Sequence, residues 1–364
     1  LGARLFLLLG LGLVFFQRIW NDERSLLEVI DYITHHGEFD FLRYYADVSA
    51  WLGPKHPPLV ALIGSQLARL FGPGILPLRL LGFGCAILTV IKTRQTARLL
   101  INPESAEDAG LLLIAFPIFL FSGATGLMDM PFTLCYTVAI YHGLRYLGTG
   151  HWQHAMLTGL MSGVGILCRY HMLMIYPVFI LFFLGQRDYR RWLLRPATFL
   201  IFLIPLILFA PWFLFSLATA SWRQQIAGVA QYIGIFGFRP GGLDFVMAYI
   251  FPLFPVFLGA HQFPLLGLAL YQSWHRPGRD WPWPAGMTLI RLSILILLLT
   301  SLLTLPHPRY LLPLLPQAAI LMAREIADLG PARPKIIGVN IALSALLVIL
   351  YGWETLRQFH YLFY

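Results

Sequence analysis

Charge is what this sequence has least of. Asp, Glu, Lys and Arg make up 12% of the 364 residues, against 58% hydrophobic residues. Mean hydropathy is +0.70. Soluble domains carry about 25% charged residues. A water-soluble fold is excluded, because it has no means of hiding so much apolar surface. Cysteine is scarce too. The three present, Cys85, Cys135 and Cys168, lie in apolar segments without metal-ligand spacing or a pairing pattern. They read as small buried hydrophobes. Internal repeats, coiled-coil heptads and low-complexity tracts are missing. The net charge of +9 would suggest nucleic acid in a soluble chain. Here it is a matter of membrane topology, and no nucleic-acid partner is expected.

What the sequence does contain is a series of apolar runs. A helix needs about 20 apolar residues to span a bilayer. Candidate spans cover roughly 3–20, 74–91, 109–124, 131–147, 155–169, 171–186, 197–218, 245–272, 287–305, 309–325 and 336–353, about eleven in all. The expectation is an all-α polytopic transmembrane bundle, one domain over 1–364. No small-residue cleavage site follows the run 5–16, so it is expected to stay as a membrane anchor. The stretch "PPLVALIGSQLARLFG" (57–72) is apolar but short, and carries Gln66 and Arg69. It is expected as a helix lying in the interface, with proline at its first turn, inside an exterior loop of 21–73.

The polar connections alternate in character. One set is basic: "KTRQTAR" (92–98), "RYLGTGHWQH" (145–154), "QRDYRRWLLR" (186–195), "HRPGR" (275–279) and "ARPK" (332–335). The other set comprises 21–56, 122–130, 221–242 and 305–310, and its first member holds seven acidic residues between Asp22 and Asp47. Eleven spans put these sets on opposite faces. The first face then carries 15 of the 26 Lys and Arg but 7 of the 17 Asp and Glu. The positive-inside rule makes it cytoplasmic.

Several charges stand alone in apolar surroundings, all on the predicted exterior face. Asp22 and Glu23 follow the first span, where adjacent carboxylates suit a general base or a metal; they also suit a plain helix start in "DERSLLEVIDYI". Asp129 in "SGATGLMDMPF" is the one charge between Asp108 and Arg145. It is a functional candidate and equally a candidate N-cap. Arg169 in "GILCRYHML" either snorkels to the interface or meets a lipid phosphate. Arg309 and Tyr310 in "LPHPRYLLPLLP" suit an interface anchor or an anion site. Lys55 and His56 in "GPKHPPLV" stand just before prolines that fix the chain. Carboxylates suit an acceptor with a proton to lose, and cations suit a phosphate at the membrane surface. Together they describe group transfer from a lipid-linked phosphate.

In order and spacing these motifs resemble the polyprenyl-phosphate-sugar-dependent membrane glycosyltransferases of the GT-C superfamily, which includes protein O-mannosyltransferases and lipid A aminoarabinose transferases. The resemblance rests on Asp22-Glu23, His56-Pro57-Pro58-Leu59, Phe71-Gly72, Arg79 in "LPLRLLG", Asp129 in "GLMDMPF", "GLMSGVGILCRY" and Arg309-Tyr310 in "PRYLLPLLP". It implies a GT-C fold and an inverting transfer of a hexosyl or pentosyl group. The donor would be a polyprenyl-phosphate sugar of dolichyl-phosphate type, and the acceptor a lipid, glycan or protein. The location would be the exterior (periplasmic or extracellular) face of the cytoplasmic membrane. By this resemblance Asp22 is the base or acceptor-orienting group, and Asp129 assists in catalysis or positioning. Lys55, His56, Arg169, Arg309 and Tyr310 hold the donor phosphate. Glu23 and His56 are candidate ligands for a divalent metal ion. The chain departs from the pattern with Leu26 near a usual aromatic and Arg169 in place of lysine. A transporter or flippase of a lipid-linked saccharide is the competing reading, and it predicts ionisable residues in mid-span. A catalytically silent assembly subunit is a third.

Overall fold

A computed structural model describes residues 2–16, 21–37, 57–218, 259–275, 283–303 and 308–350. Among them the chain is helical, with no strand. The α-helices in chain order are α1 (Gly2–Phe16), α2 (Asn21–His36), α3 (Leu59–Phe71), α4 (Leu76–Leu100), α5 (Pro103–Ile114), α6 (Pro117–Gly123) and α7 (Asp129–Thr149). They continue with α8 (Trp152–Cys168), α9 (Ile175–Gly185), α10 (Pro196–Ala218), α11 (Phe263–His275), α12 (Pro284–Leu303), α13 (Leu315–Ala327) and α14 (Arg333–Leu350). Short 3-10 segments at Tyr170–Met174, Arg187–Leu194 and Pro308–Leu314 join some of them.

The amphipathic stripe of α2 buries Leu26, Val29, Ile30 and Ile33. Opposite it, α3 buries Val60, Ala61, Gly64, Ser65 and Ala68. Arg69 donates from Nη2 to the Ile33 carbonyl at 3.2 Å, near the end of α2. With 13 residues, α3 is about 20 Å long, short of the roughly 30 Å hydrocarbon core. Its far end exposes Leu70 and Phe71.

By length and composition three helical stretches among the described residues suffice to cross a membrane: Leu76–Leu100, Pro196–Ala218 and Gly330–Val348. Shorter apolar helices include Phe6–Phe15, Tyr170–Gly185 and Pro284–Thr300. Much of the expected span 245–272 lies outside the described residues.

One expected span is broken. Within the expected span 109–124, α5 and α6 meet at 74°. Pro117 brings no N–H, and it holds Phe116 in extended backbone (ψ 114). The carbonyl of Ala115, freed at the break, accepts hydrogen bonds from Gln262 and Ser344. Within an apolar bundle such a group needs partners of this kind.

Helices α7 and α8 form an antiparallel hairpin closed at Gly150. The other face of α8 packs on α10 so closely that a Cβ on Gly159 would meet the Leu200 carbonyl oxygen at 2.3 Å. Small residues commonly set such distances between membrane helices.

Buried and partly buried ion pairs sort to the two ends of this bundle. At one end Arg94 pairs with Glu107, and Arg333 with Asp108 and Glu104. This gathers the basic connections 92–98 and 332–335. At the other end lie the start of α2, the start of α4, the turn before α7, the end of α8 and the segment Pro308–Leu314.

Candidate active site

The site is built around the turn 124–128. This turn lies directly on α4, since a Cβ on Gly82 would meet the Thr125 carbonyl oxygen at 2.3 Å. Only glycine permits that approach. The turn then offers the Gly126 N–H, which donates to Glu23 Oε1 at 2.7 Å. Glu23 is fully buried, and so is Arg79 at 1% exposure. Arg79 donates from Nε to Glu23 Oε1 at 3.0 Å and from Nη2 to Oε2 at 2.9 Å. It also reaches the Val14 carbonyl at 3.3 Å. One guanidinium therefore holds α1, α2 and α4 together, and Glu23 ties them to the turn.

Three residues after Gly126, Asp129 opens α7. Met128 is the residue before the helix, and no side chain caps it. The capping role open to Asp129 is not realised; its carboxylate pairs with Arg169 Nη1, both side chains being buried. Arg169 is extended (φ −160) where α8 stops, and only 4% of it is exposed. It does not snorkel outward. Its guanidinium lies 4.5 Å from the ring centre of Tyr310. Arg309, 9% exposed, approaches the same ring at 5.6 Å. The His171 ring lies 5.2 Å from it, tilted by 34°. Two guanidiniums around one phenol ring is a cation–π arrangement. It concentrates positive charge in a place with little water.

The structure thus brings Asp129, Arg169, Arg309 and Tyr310 together and links them to Glu23 through the turn. Asp22 is the second residue of α2, next to Glu23; its side chain, like the whole of Lys55 and His56, lies outside the described residues. Glu23 has both oxygens engaged by Arg79 and Gly126, so it does not present a ready metal ligand. Among the described residues no group of three or more His, Cys, Asp or Glu could hold an ion. The sequence reading named Arg79 as a motif residue without a role, because its partner was hidden. His171 escaped it, having no signal beyond its closeness to Arg169.

The helical bundle is that of an all-α, multi-pass membrane protein. The chain is similar over residues 55–215 to the family described as dolichyl-phosphate-mannose-protein mannosyltransferase. It is also similar to the structure of ArnT from Cupriavidus metallidurans bound to undecaprenyl phosphate. That match has 18% identity and a TM-score of 0.68, covering 96% of this chain and 64% of that one. A second similarity is to the Archaeoglobus fulgidus oligosaccharyltransferase in complex with Zn and sulfate, with 13% identity, TM-score 0.58, and 92% and 48% coverage. A third is to AglB from the same organism with an inhibitory peptide and a dolichol-phosphate, at 13% identity and TM-score 0.59, with 97% and 54% coverage. The chain therefore spans just under two thirds of the length of ArnT and about half that of the oligosaccharyltransferase. A search of curated protein sequences finds no match.

Proposed function

We propose that this chain is a membrane glycosyltransferase. It moves a hexosyl or pentosyl group from a polyprenyl-phosphate donor to a lipid, glycan or protein acceptor, with inversion, at the exterior face of the cytoplasmic membrane. The observation that carries the proposal is the cluster of Arg169 and Arg309 around Tyr310. It stands at the end of the bundle where α2 begins, with Asp22 as its second residue.

In this reading the acceptor oxygen or nitrogen attacks the anomeric carbon, and its proton passes to Asp22. The bond from that carbon to the phosphate oxygen breaks, and the lipid phosphate leaves with the electron pair. Arg169 and Arg309 meet the growing charge on the phosphate, the kind of preorganised stabilisation that dominates many transfers. Asp129 acts on Arg169: it balances the guanidinium charge and fixes the direction of its donors. Lys55 and His56 complete the phosphate site. No step passes through a metal.

The test is transfer from a labelled polyprenyl-phosphate sugar by the purified chain, with Asp22→Asn as control. Product from the native chain and little from the variant supports the proposal. Undiminished transfer by Asp22→Asn removes Asp22 from the mechanism. Movement of the donor across vesicles without any transfer supports the flippase instead.

A further inference from the structure

The end of the bundle opposite Asp129 carries a second concentration of positive charge. On α4, Lys92 lies over the Tyr141 ring of α7, with Nζ 4.7 Å from its centre. It donates a hydrogen bond to Gln95 Oε1, a neutral partner, at 2.9 Å. Next to Tyr141, His142 meets His154 of α8, Nδ1 to Nδ1 at 3.1 Å. Arg145 stands four residues after Tyr141, on the same face of α7. It is half-buried, and its Nε is buried without a hydrogen-bond partner.

Three arginines at this end provide a contrast. Arg94 pairs with Glu107, Arg324 with Asp328, and Arg333 with Asp108 and Glu104. Among the described residues Lys92 and Arg145 form no ion pair with a carboxylate. Uncompensated charge in a half-buried seam is costly unless something outside the chain balances it. The excess is felt by His154. Burial first, then the charges of Arg145 and His151, hold its protonation below the usual range.

Below the cations the surface changes character. Leu88 and Ile91 of α4 are 50% and 39% exposed. They lie on one helix face and lead up to Lys92. Apolar surface under paired cations fits a phospholipid, with acyl chains below and phosphate above. Basic pockets between transmembrane helices are known to take anionic headgroups.

We propose that the seam between α4, α7 and α8 binds the headgroup phosphate of an anionic membrane lipid. Lys92 and Arg145 hold the phosphate, the His142–His154 pair adds an N–H, and the acyl chains run along Leu88 and Ile91. The site lies about 24 Å along α7 from Asp129, so it stands apart from the proposed active site and does not rest on the activity.

The experiment uses the purified full chain in a neutral detergent. Its thermal midpoint is followed with phosphatidylglycerol, phosphatidylcholine or inorganic phosphate, and native mass spectrometry counts retained lipid. Phosphatidylglycerol is expected to raise the midpoint by about 3 °C or more and to stay bound. Phosphatidylcholine and inorganic phosphate are expected to do neither. The Lys92→Gln/Arg145→Gln variant is expected to bind phosphatidylglycerol roughly tenfold or more weakly. Lys92→Gln alone, a milder change, is expected to show part of that loss and guards against misfolding of the double variant. An equal shift with phosphatidylcholine overturns the proposal, as does an unchanged shift in both variants. Equal protection by inorganic phosphate assigns the seam to a soluble phosphate and overturns the lipid.

Discussion

Glu23 and Arg79, 56 residues apart in the chain, face each other through two hydrogen bonds of 3.0 and 2.9 Å. Their side chains are 0% and 2% exposed. Removing one partner of a buried pair costs about 3–5 kcal/mol, whereas replacing both with apolar residues is often far milder. Arg79→Met alone is therefore expected to destabilise the chain by about that amount, and Glu23→Leu/Arg79→Met to recover much of it. Transfer is expected to stay low in the double variant, because Gly126 has lost its anchor and the turn before Asp129 is loose. Thermal unfolding in detergent, run beside the transfer assay, separates the two effects. Full activity in the double variant would show that the pair has no positioning role.

Asp129 and Arg169 act as a unit in the proposed mechanism. Asp129→Asn is expected to lower transfer about 100-fold, on the scale of losing one oriented donor. Arg169→Lys keeps the charge but not the planar fork, and a similar loss is expected. Combining them should cost little more than either alone, since neighbours in one network are not additive. Multiplying losses in a double-mutant cycle would mean that the two residues work separately.

Tyr310 supplies a ring, and its hydroxyl is not invoked. Tyr310→Phe is expected to retain most activity. Tyr310→Ala gives up cation–π contacts worth roughly 0.5–2 kcal/mol, so donor binding should weaken by about 2- to 30-fold. The comparison is read from the donor KM. A Phe variant as poor as the Ala variant would move the role to the hydroxyl.

The approach at Gly82 can be probed with one methyl group. Gly82→Ala places a Cβ 2.3 Å from the Thr125 carbonyl oxygen, so backbone must shift, at a cost of about 1–3 kcal/mol. Two residues on, a Cβ on Gly84 meets nothing within 4 Å, and Gly84→Ala is the matched control. Equal midpoints for the two variants would contradict the packing of the turn on α4.

His154 predicts a pH dependence. Its folded value lies below the ordinary 6.5, through burial first and then Arg145 and His151. Lys92 and the ring of His142 face the same seam. As pH falls below 6.5 the unfolded chain takes up this proton before the folded one does, so stability drops. Above 6.5 the residue adds no such cost. His154→Gln should lessen the fall in thermal midpoint between pH 7.5 and 5.5. An identical fall in both proteins would place the sensitivity elsewhere.

Helices were legible in the sequence because apolar length alone marks them. The shortness of 57–72 and its polar residues likewise foretold a helix unfit to span. The break at Pro117 was missed because the apolar run continues across it. Its stabilising partners, Gln262 and Ser344, lie 147 and 229 residues downstream of Ala115. The candidate site residues stood out as lone charges in apolar surroundings, which is how Asp129, Arg169 and Arg309 were singled out. Their pairing was hidden. Asp129 and Arg169 are 40 residues apart, and the register of the α7–α8 hairpin that joins them is a packing property. For the same reason Glu23 read as a companion of the acid beside it and not as the partner of Arg79.

The bend between α5 and α6 also orders events during synthesis. When residues 103–123 enter the bilayer, the chain has not yet produced Gln262 or Ser344. Until then the Ala115 carbonyl faces lipid with neither of its donors, at a cost of order several kcal/mol. The bend becomes secure only after the segment Ala260–Gln262 and α14 have been made and docked. The early half of the bundle therefore waits on the late half, and a ribosome stalled before residue 344 leaves behind an unfinished elbow.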